Sequence, residues 1–460
     1  MFENGNHPFR QKSKRSKVVL FCVLGSVLFL GTLAPVLNIP ILSSSSSSFS
    51  FLLSSSSSSS SSPFLLMFPP VAASSTGPPP GGQLLEGVPS QTNATTNVTE
   101  IGLPRVMFIT TGGTIQNLEL PNGTSTRIDL EDTIANIRER YPQPEVQAIL
   151  DSINPSFNEV TRIGSEDFDL NEFLTIAWEA RKALDGEFDA VIVTQGTFSS
   201  EYTCYFLQLL VNSTKPIIVT NSQRQHMSVG NDGDRNLLDS ILVATHPESE
   251  GKGALQVEGA KIVSCREVAK SSDRPGAFGA QNLGVLGYLR GGTLSPEATV
   301  PEDNVVYYRE PTRQHTFESE FSIEDLINST DINGNATFRE LPRVEVLPSF
   351  YGAQPDVVDA LVSLGVEGIV IQGLASAGSP WKDQSTRLEE LAEGGMPIVR
   401  THSNQVVYDG RIPPSDPPFI GGDNLPSHKA RILLQLAMVE TENLEGDERR
   451  DEIQRLFNTH

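Results

Sequence analysis

Only three cysteines occur in the 460 residues: Cys22, Cys204 and Cys265. Cys22 sits in an apolar run, which leaves at most one disulfide for the rest of the chain. Cys204 lies in an apolar stretch, the setting of a buried thiol. Three thiols supply no metal framework, and the seven histidines form neither HExxH nor His-x-His, so neither a metal nor a cofactor is expected. Basic charge is also short. The chain has 34 Lys+Arg against 56 Asp+Glu, a formal net charge of -22, and Arg10, Lys12, Lys14, Arg15 and Lys17 crowd at its start. So acidic a surface repels phosphate backbones, which argues against nucleic acid as a partner.

One long apolar run is present. Val18 to Leu37 has roughly the ~20 residues that cross a bilayer, and it follows the basic cluster. The expectation is a signal-anchor over 18–37, or a cleaved signal peptide, behind a cytosolic tail over 1–17. The rest of the chain would then be lumenal or extracellular in a single-pass type II arrangement, or secreted. Residues 38–103 are rich in Ser, Pro and Gly and read as a stalk that cannot bury a core. Asn-x-Ser/Thr sequons at Asn93, Asn97, Asn122, Asn212, Asn328 and Asn335 suit a glycoprotein with that address.

From Pro104 onward, short β-branched runs alternate with amphipathic segments of helical length. Val106–Thr110, Ala190–Thr194, Pro216–Thr220 and Lys261–Ser264 read as strands; Asn171–Leu184, Ser200–Leu210 and Asn236–Ala244 read as helices. Such alternation predicts an α/β fold with a doubly wound, mostly parallel sheet. A polar stretch over 311–340 interrupts it as a linker or surface insertion. Val344–Pro348, Gly368–Ile371 and Pro397–Arg400 then resume as strands, with helices at Asp356–Leu364, Ser385–Glu393, His428–Glu440 and Asp447–Phe457. The expected organisation is a larger domain over 104–310 and a smaller α/β domain over 341–460.

Two strand-like runs end in glycine and threonine: VMFITTGGTI (Val106–Ile115) and DAVIVTQGT (Asp189–Thr197). Open α/β sheets bind ligands at the carboxyl ends of their strands, so Thr114 and Thr197 are candidate hydroxyls of one site. TTGGTI lacks the Lys-Ser/Thr of a phosphate loop and the spacing of a dinucleotide loop. GSED adds Ser165 and Glu166 after a probable strand, and EVAKS adds Lys270 just past another. Each residue also has a structural reading. Thr114, Ser165 and Thr197 suit helix caps or turns, and Glu166 and Lys270 suit a solvated surface.

TGGTI, GSED, VTQGT, the run Lys215–Ala244, EVAKS followed by LGVLGYL, and LPSHKARILLQLA occur in this order. Together they resemble the bacterial-type L-asparaginase and glutaminase-asparaginase family from Pro104 to the C-terminus. The resemblance implies a two-domain α/β fold, assembly as a homodimer or homotetramer, and hydrolysis of the side-chain amide of L-asparagine or a related small amide. It further implies Thr114 as nucleophile, Thr197 and Lys270 as hydroxyl and amine of a second triad, and Ser165 and Glu166 as ligands of the substrate's α-carboxylate and α-amino groups. An amide is a poor electrophile, so it needs a positioned oxygen nucleophile, a base and oxyanion donors.

Two departures stand against a full match. Where the family has an aspartate after the second threonine, this chain has Phe198, and the loop Gln116–Asp129 contains no tyrosine. The orienting acid of a triad is worth on the order of 10⁴ in rate. The phenylalanine is expected to fill a former polar pocket, desolvate Lys270 and leave it without an ion partner, with Glu201, Glu267 or Asp273 as substitute acids. A binding or structural protein with little or no turnover is the rival reading.

Overall fold

The computed structural model describes residues 102–290, 304–313, 318–374, 377–403, 412 and 419–460. β1 (Arg105–Thr110) leads through a hairpin, β2 (Asn117–Glu119) and β3 (Ser125–Arg127), and two helices, α1 (Leu130–Arg140) and α2 (Pro144–Asp151), to β4 (Asn154–Glu159). A βα alternation follows: α3 (Leu170–Asp185), β5 (Ala190–Thr194), α4 (Ser200–Leu210), β6 (Ile217–Thr220), α5 (Gly233–Ala244) and β7 (Ala254–Glu258). The chain then turns back through β8 (Lys261–Ser264), forms a ribbon of β9 (Ala269–Lys270) and β10 (Phe278–Gly279), and adds β11 (Gly287–Leu289) and β12 (Val305–Tyr307).

These strands build an eight-stranded sheet in the order β12-β11-β8-β7-β6-β5-β1-β4. It is parallel from β4 through β7 and antiparallel beyond, so the sheet is mixed. β5 and β6 are buried along their whole length, and the β-branched runs AVIVT and IIVT suit burial on both faces. β4 (NPSFNE) is polar because it pairs on one side only, at the edge beside β1. α3 and α4 pack one face, and α1, α2 and α5 the other.

The segment expected as a linker or surface insertion is ordered at its root. A turn at Ile323–Leu326 precedes the hairpin β13 (Ile327–Thr330) and β14 (Ala336–Phe338). Phe321, Ile323 and Leu326 are buried against the α3 face, and the Trp178 indole donates to the Gly334 carbonyl at 2.9 Å. β15 (Val344–Pro348), β16 (Gly368–Gly373), β17 (Ile398–His402) and β18 (Ile420–Pro426) then form a second sheet, parallel throughout. Between these strands lie α6 (Asp356–Ser363) and α7 (Lys382–Glu393) on one face; α8 (Ser427–Glu440) and α9 (Gly446–Thr459) cover the other. Val344, Val370 and Val399 share one apolar core with α3 and α4, so the two sheets are joined by burial.

Cys204 is not the free buried thiol its apolar setting predicts: it is disulfide-bonded to Cys265, 61 residues on. Asn212 is only half-exposed and its amide donates to the Phe321 carbonyl at 3.1 Å, so a glycan there would break a native contact.

Candidate active site

β1 and β5 are neighbours in parallel register, Thr110 beside Thr194, so the turns that follow them emerge side by side. Thr111 crosses from one to the other: its N–H and its hydroxyl both donate to the Thr194 carbonyl, at 3.1 and 3.0 Å. The two turns then touch. Gly113 has φ +82, and a Cβ there would lie 2.3 Å from the nitrogen of Gly196. A Cβ on Gly196 would in turn lie 2.4 Å from the Ser165 hydroxyl. Glycine at 113 and 196 is therefore what lets the segments carrying Thr114, Thr197 and Ser165 meet. Gln116, buried behind them, accepts the Gly112 N–H at 3.0 Å and donates to the Ile128 carbonyl at 3.3 Å, fixing the turn that presents Thr114.

Lys270 joins this group from β9. Its ammonium donates to the Thr197 hydroxyl at 3.2 Å and pairs with Asp273 at 2.7 Å. That hydrogen bond holds the Asp273 carboxyl below the usual range, although Asp273 is 92% exposed. The expectation that Phe198 packs into a former polar pocket and strips Lys270 of its ion partner is therefore corrected. Phe198 is 67% exposed, and its N–H donates to the Ser165 hydroxyl at 3.2 Å.

The other two carboxylates considered for the acid's place have different roles. Glu267 is held by Arg309 and by Thr312, whose hydroxyl donates to it at 2.7 Å. Glu201 accepts the backbone N–H of Lys270, and burial pushes its carboxyl up, against the pull of Lys429. Lys429, fully buried on α8, donates to the carbonyls of Cys265, Arg266 and Val268 at 2.9, 3.0 and 2.6 Å, and burial pulls its amine down. Those three carbonyls fix the segment that leads into Lys270.

Thr114 and Ser165 open short 3-10 turns, with Gly113 and Gly164 in the cap positions, and Ser199 stands at the cap of α4. None of the three candidate hydroxyls is thus a helix cap. Ser165 is buried and Glu166 exposed, its carboxylate folded back over Gly164. One neighbour was not legible in the sequence. Arg127, at the end of the β2–β3 hairpin, lays its guanidinium on Gly112, where a Cβ would lie 3.1 Å from Cζ. It also donates to the Arg162 carbonyl. No motif marks Arg127, because the hairpin places it.

Comparison with known proteins agrees with this architecture. The family model "Asparaginase, N-terminal" matches residues 105–301, and "Glutaminase/Asparaginase C-terminal domain" matches 343–457. The chain is 28% identical to L-asparaginase 2 of Escherichia coli (strain K12) over 368 residues, covering 78% of this chain and 94% of that relative. It is 30% identical to L-asparaginase 2-3 of Saccharomyces cerevisiae over 342 residues, 73% of this chain and 86% of that one. Among solved structures it is similar to a probable cytoplasmic L-asparaginase from Campylobacter jejuni, with a TM-score of 0.63 and 28% identity, over 78% of this chain and all of that one.

The single-pass type II placement expected from the N-terminal run is corrected here. Residues 18–37 lie outside the described residues, among which no helix is long and apolar enough to cross a membrane. One solved structure it matches is that of a probable cytoplasmic enzyme, which gives the lumenal address no support. By its two family domains, its relatives and the convergence of the paired threonine turns, the chain belongs to the asparaginase family of amidohydrolases.

Proposed function

We propose that this protein hydrolyses the side-chain amide of L-asparagine or a related small amide, with Thr114 as nucleophile. The Thr114 oxygen attacks the amide carbon, the carbon–nitrogen bond breaks, and the nitrogen leaves as ammonia with one added proton. Water then cleaves the acyl ester to the acid and restores the hydroxyl. Thr197 and Lys270 form the supporting pair, with Ser165 and Glu166 holding the α-substituents. The observation that carries this reading is the Lys270–Thr197 hydrogen bond beside the Gly113–Gly196 contact, with Asp273 pairing the same ammonium. Assembly as a homodimer or homotetramer is part of the proposal.

The rival reading, an asparaginase-fold binding protein without turnover, draws on Phe198 and on the absence of tyrosine from the hairpin loop. Ammonia release from L-asparagine and L-glutamine by the full chain, with Thr114→Ala as control, separates the two. Release that disappears in the variant supports the threonine mechanism. Release absent in both proteins supports the rival, and release equal in both rules out Thr114 as the nucleophile.

A further inference from the structure

A cavity of about 400 Å³ opens beside the candidate active site, within the usual size of small-molecule sites. Ser165, Glu166 and Phe198 belong both to its wall and to the cluster around Thr197. Beyond them the wall is largely aromatic, with Asp169 and Gln435 as polar members. Phe168, Phe173, Tyr202 and Phe206 come from the start of α3 and from α4, with Phe173 stacked on Phe206 at 5.3 Å and edge-on to Phe168 at 5.7 Å. Arg431 of α8 closes one side; among the described residues its hydrogen bonding is confined to Nε, which donates to the Val344 carbonyl at 2.7 Å.

We infer that this cavity receives an apolar or aromatic acyl group carried on the α-nitrogen of the substrate, so that the preferred substrate class is N-acylated asparagine and not the free amino acid. The inference deepens the proposed function and rests on it for the direction of the substrate. Where a carboxylate would pair a free α-ammonium, Phe198 supplies no counter-charge, which leaves that task to the exposed carboxylates of Glu166 and Asp169. Acylation turns that ammonium into a neutral amide. The acyl group then extends from the nitrogen past Ser165, Glu166 and Phe198 into the cavity. Phe198, 67% exposed, would be covered by it. The side-chain amide stays at Thr114, and the chemistry is unchanged.

The test is calorimetric binding to the full-length Thr114→Ala protein, which removes the proposed nucleophile and so does not depend on turnover. The probes are N-phenylacetyl-L-asparagine and L-asparagine. Burying one phenyl ring predicts at least about tenfold tighter binding of the acylated probe. Phe198→Asp, a change at an exposed position, should shrink or reverse that ratio. Equal or tighter binding of L-asparagine, or a ratio untouched by Phe198→Asp, would overturn the inference. Tight binding of the acylated probe without ammonia release from wild type would instead uphold the cavity and count against the hydrolytic reading.

Discussion

At the scale of single residues, the site depends on glycines as much as on hydroxyls. Gly113 combines a positive φ with backbone contact to Gly196, so Gly113→Ala should destabilise the fold by about 2–5 kcal/mol and abolish any amidase activity. Chemical denaturation of the variant checks the first and ammonia release the second. Asp273 is a weaker element. An exposed carboxylate is screened by solvent, so Asp273→Asn should lower turnover only about twofold to fivefold, with the difference vanishing at high salt. A loss of several hundredfold would mean that Asp273 had taken over the whole role of the missing acid. What the sequence could not convey at this scale was environment. Phe198 was expected to be packed and is exposed, because nothing in the motif tells which side of the turn a ring will take.

At the scale of elements, α5 holds a titratable weak point. Asp239 is buried on it, paired through one oxygen with Arg235, and burial pushes its carboxyl up to about 6 from 3.8. Because the folded state binds the proton more tightly, this group favours folding at low pH and its contribution is lost as pH rises from about 4 to 6. The shift corresponds to about 3 kcal/mol above pH 6. Asp239→Asn should therefore raise Tm at pH 7 and flatten the profile between pH 4 and 6; a variant with the wild-type profile would refute the assignment. The same scale shows what a single sequence conveys. AVIVT, IIVT and KIVS declare themselves as strands by β-branched runs, and the structure places strands there. NPSFNE and IGGDNLP carry no such pattern, although a strand was expected ahead of GSED, where the first lies. The first is an edge strand excused from apolar alternation; the second is buried throughout and spends its glycines on close approach, since a Cβ at Gly422 would lie 2.6 Å from the Arg400 carbonyl. α1, with few apolar positions, was likewise silent in the sequence.

At the scale of the whole molecule, the two sheets are tied by more than their shared core. Arg266 donates to the Asn424 side chain at 2.8 Å, pairs with Asp423 and reaches the C-terminal residue His460, while Lys429 closes on the loop that leads to Lys270. The Cys204–Cys265 bridge anchors that loop to α4. Closing a long loop constrains the unfolded chain, so reduction, or a Cys204→Ala/Cys265→Ala double variant, should cost about 2–4 kcal/mol and lower Tm by about 3–5 °C. Calorimetry with and without reductant reads this, and an unchanged Tm would contradict it. Family membership was legible at this scale because the motifs keep their order across the folded region. Address was not, because it was read from residues that lie outside the described structure.

Hydrolysis as proposed passes through an acyl intermediate on Thr114. It is tested most directly by acid-quenching the protein during exposure to L-asparagine or N-phenylacetyl-L-asparagine and measuring the mass of the peptide that contains residue 114. The expected result is an acyl adduct on Thr114 that is lost in Thr114→Ala together with ammonia release. Ammonia released at the wild-type rate by Thr114→Ala, with no adduct in either protein, would contradict it.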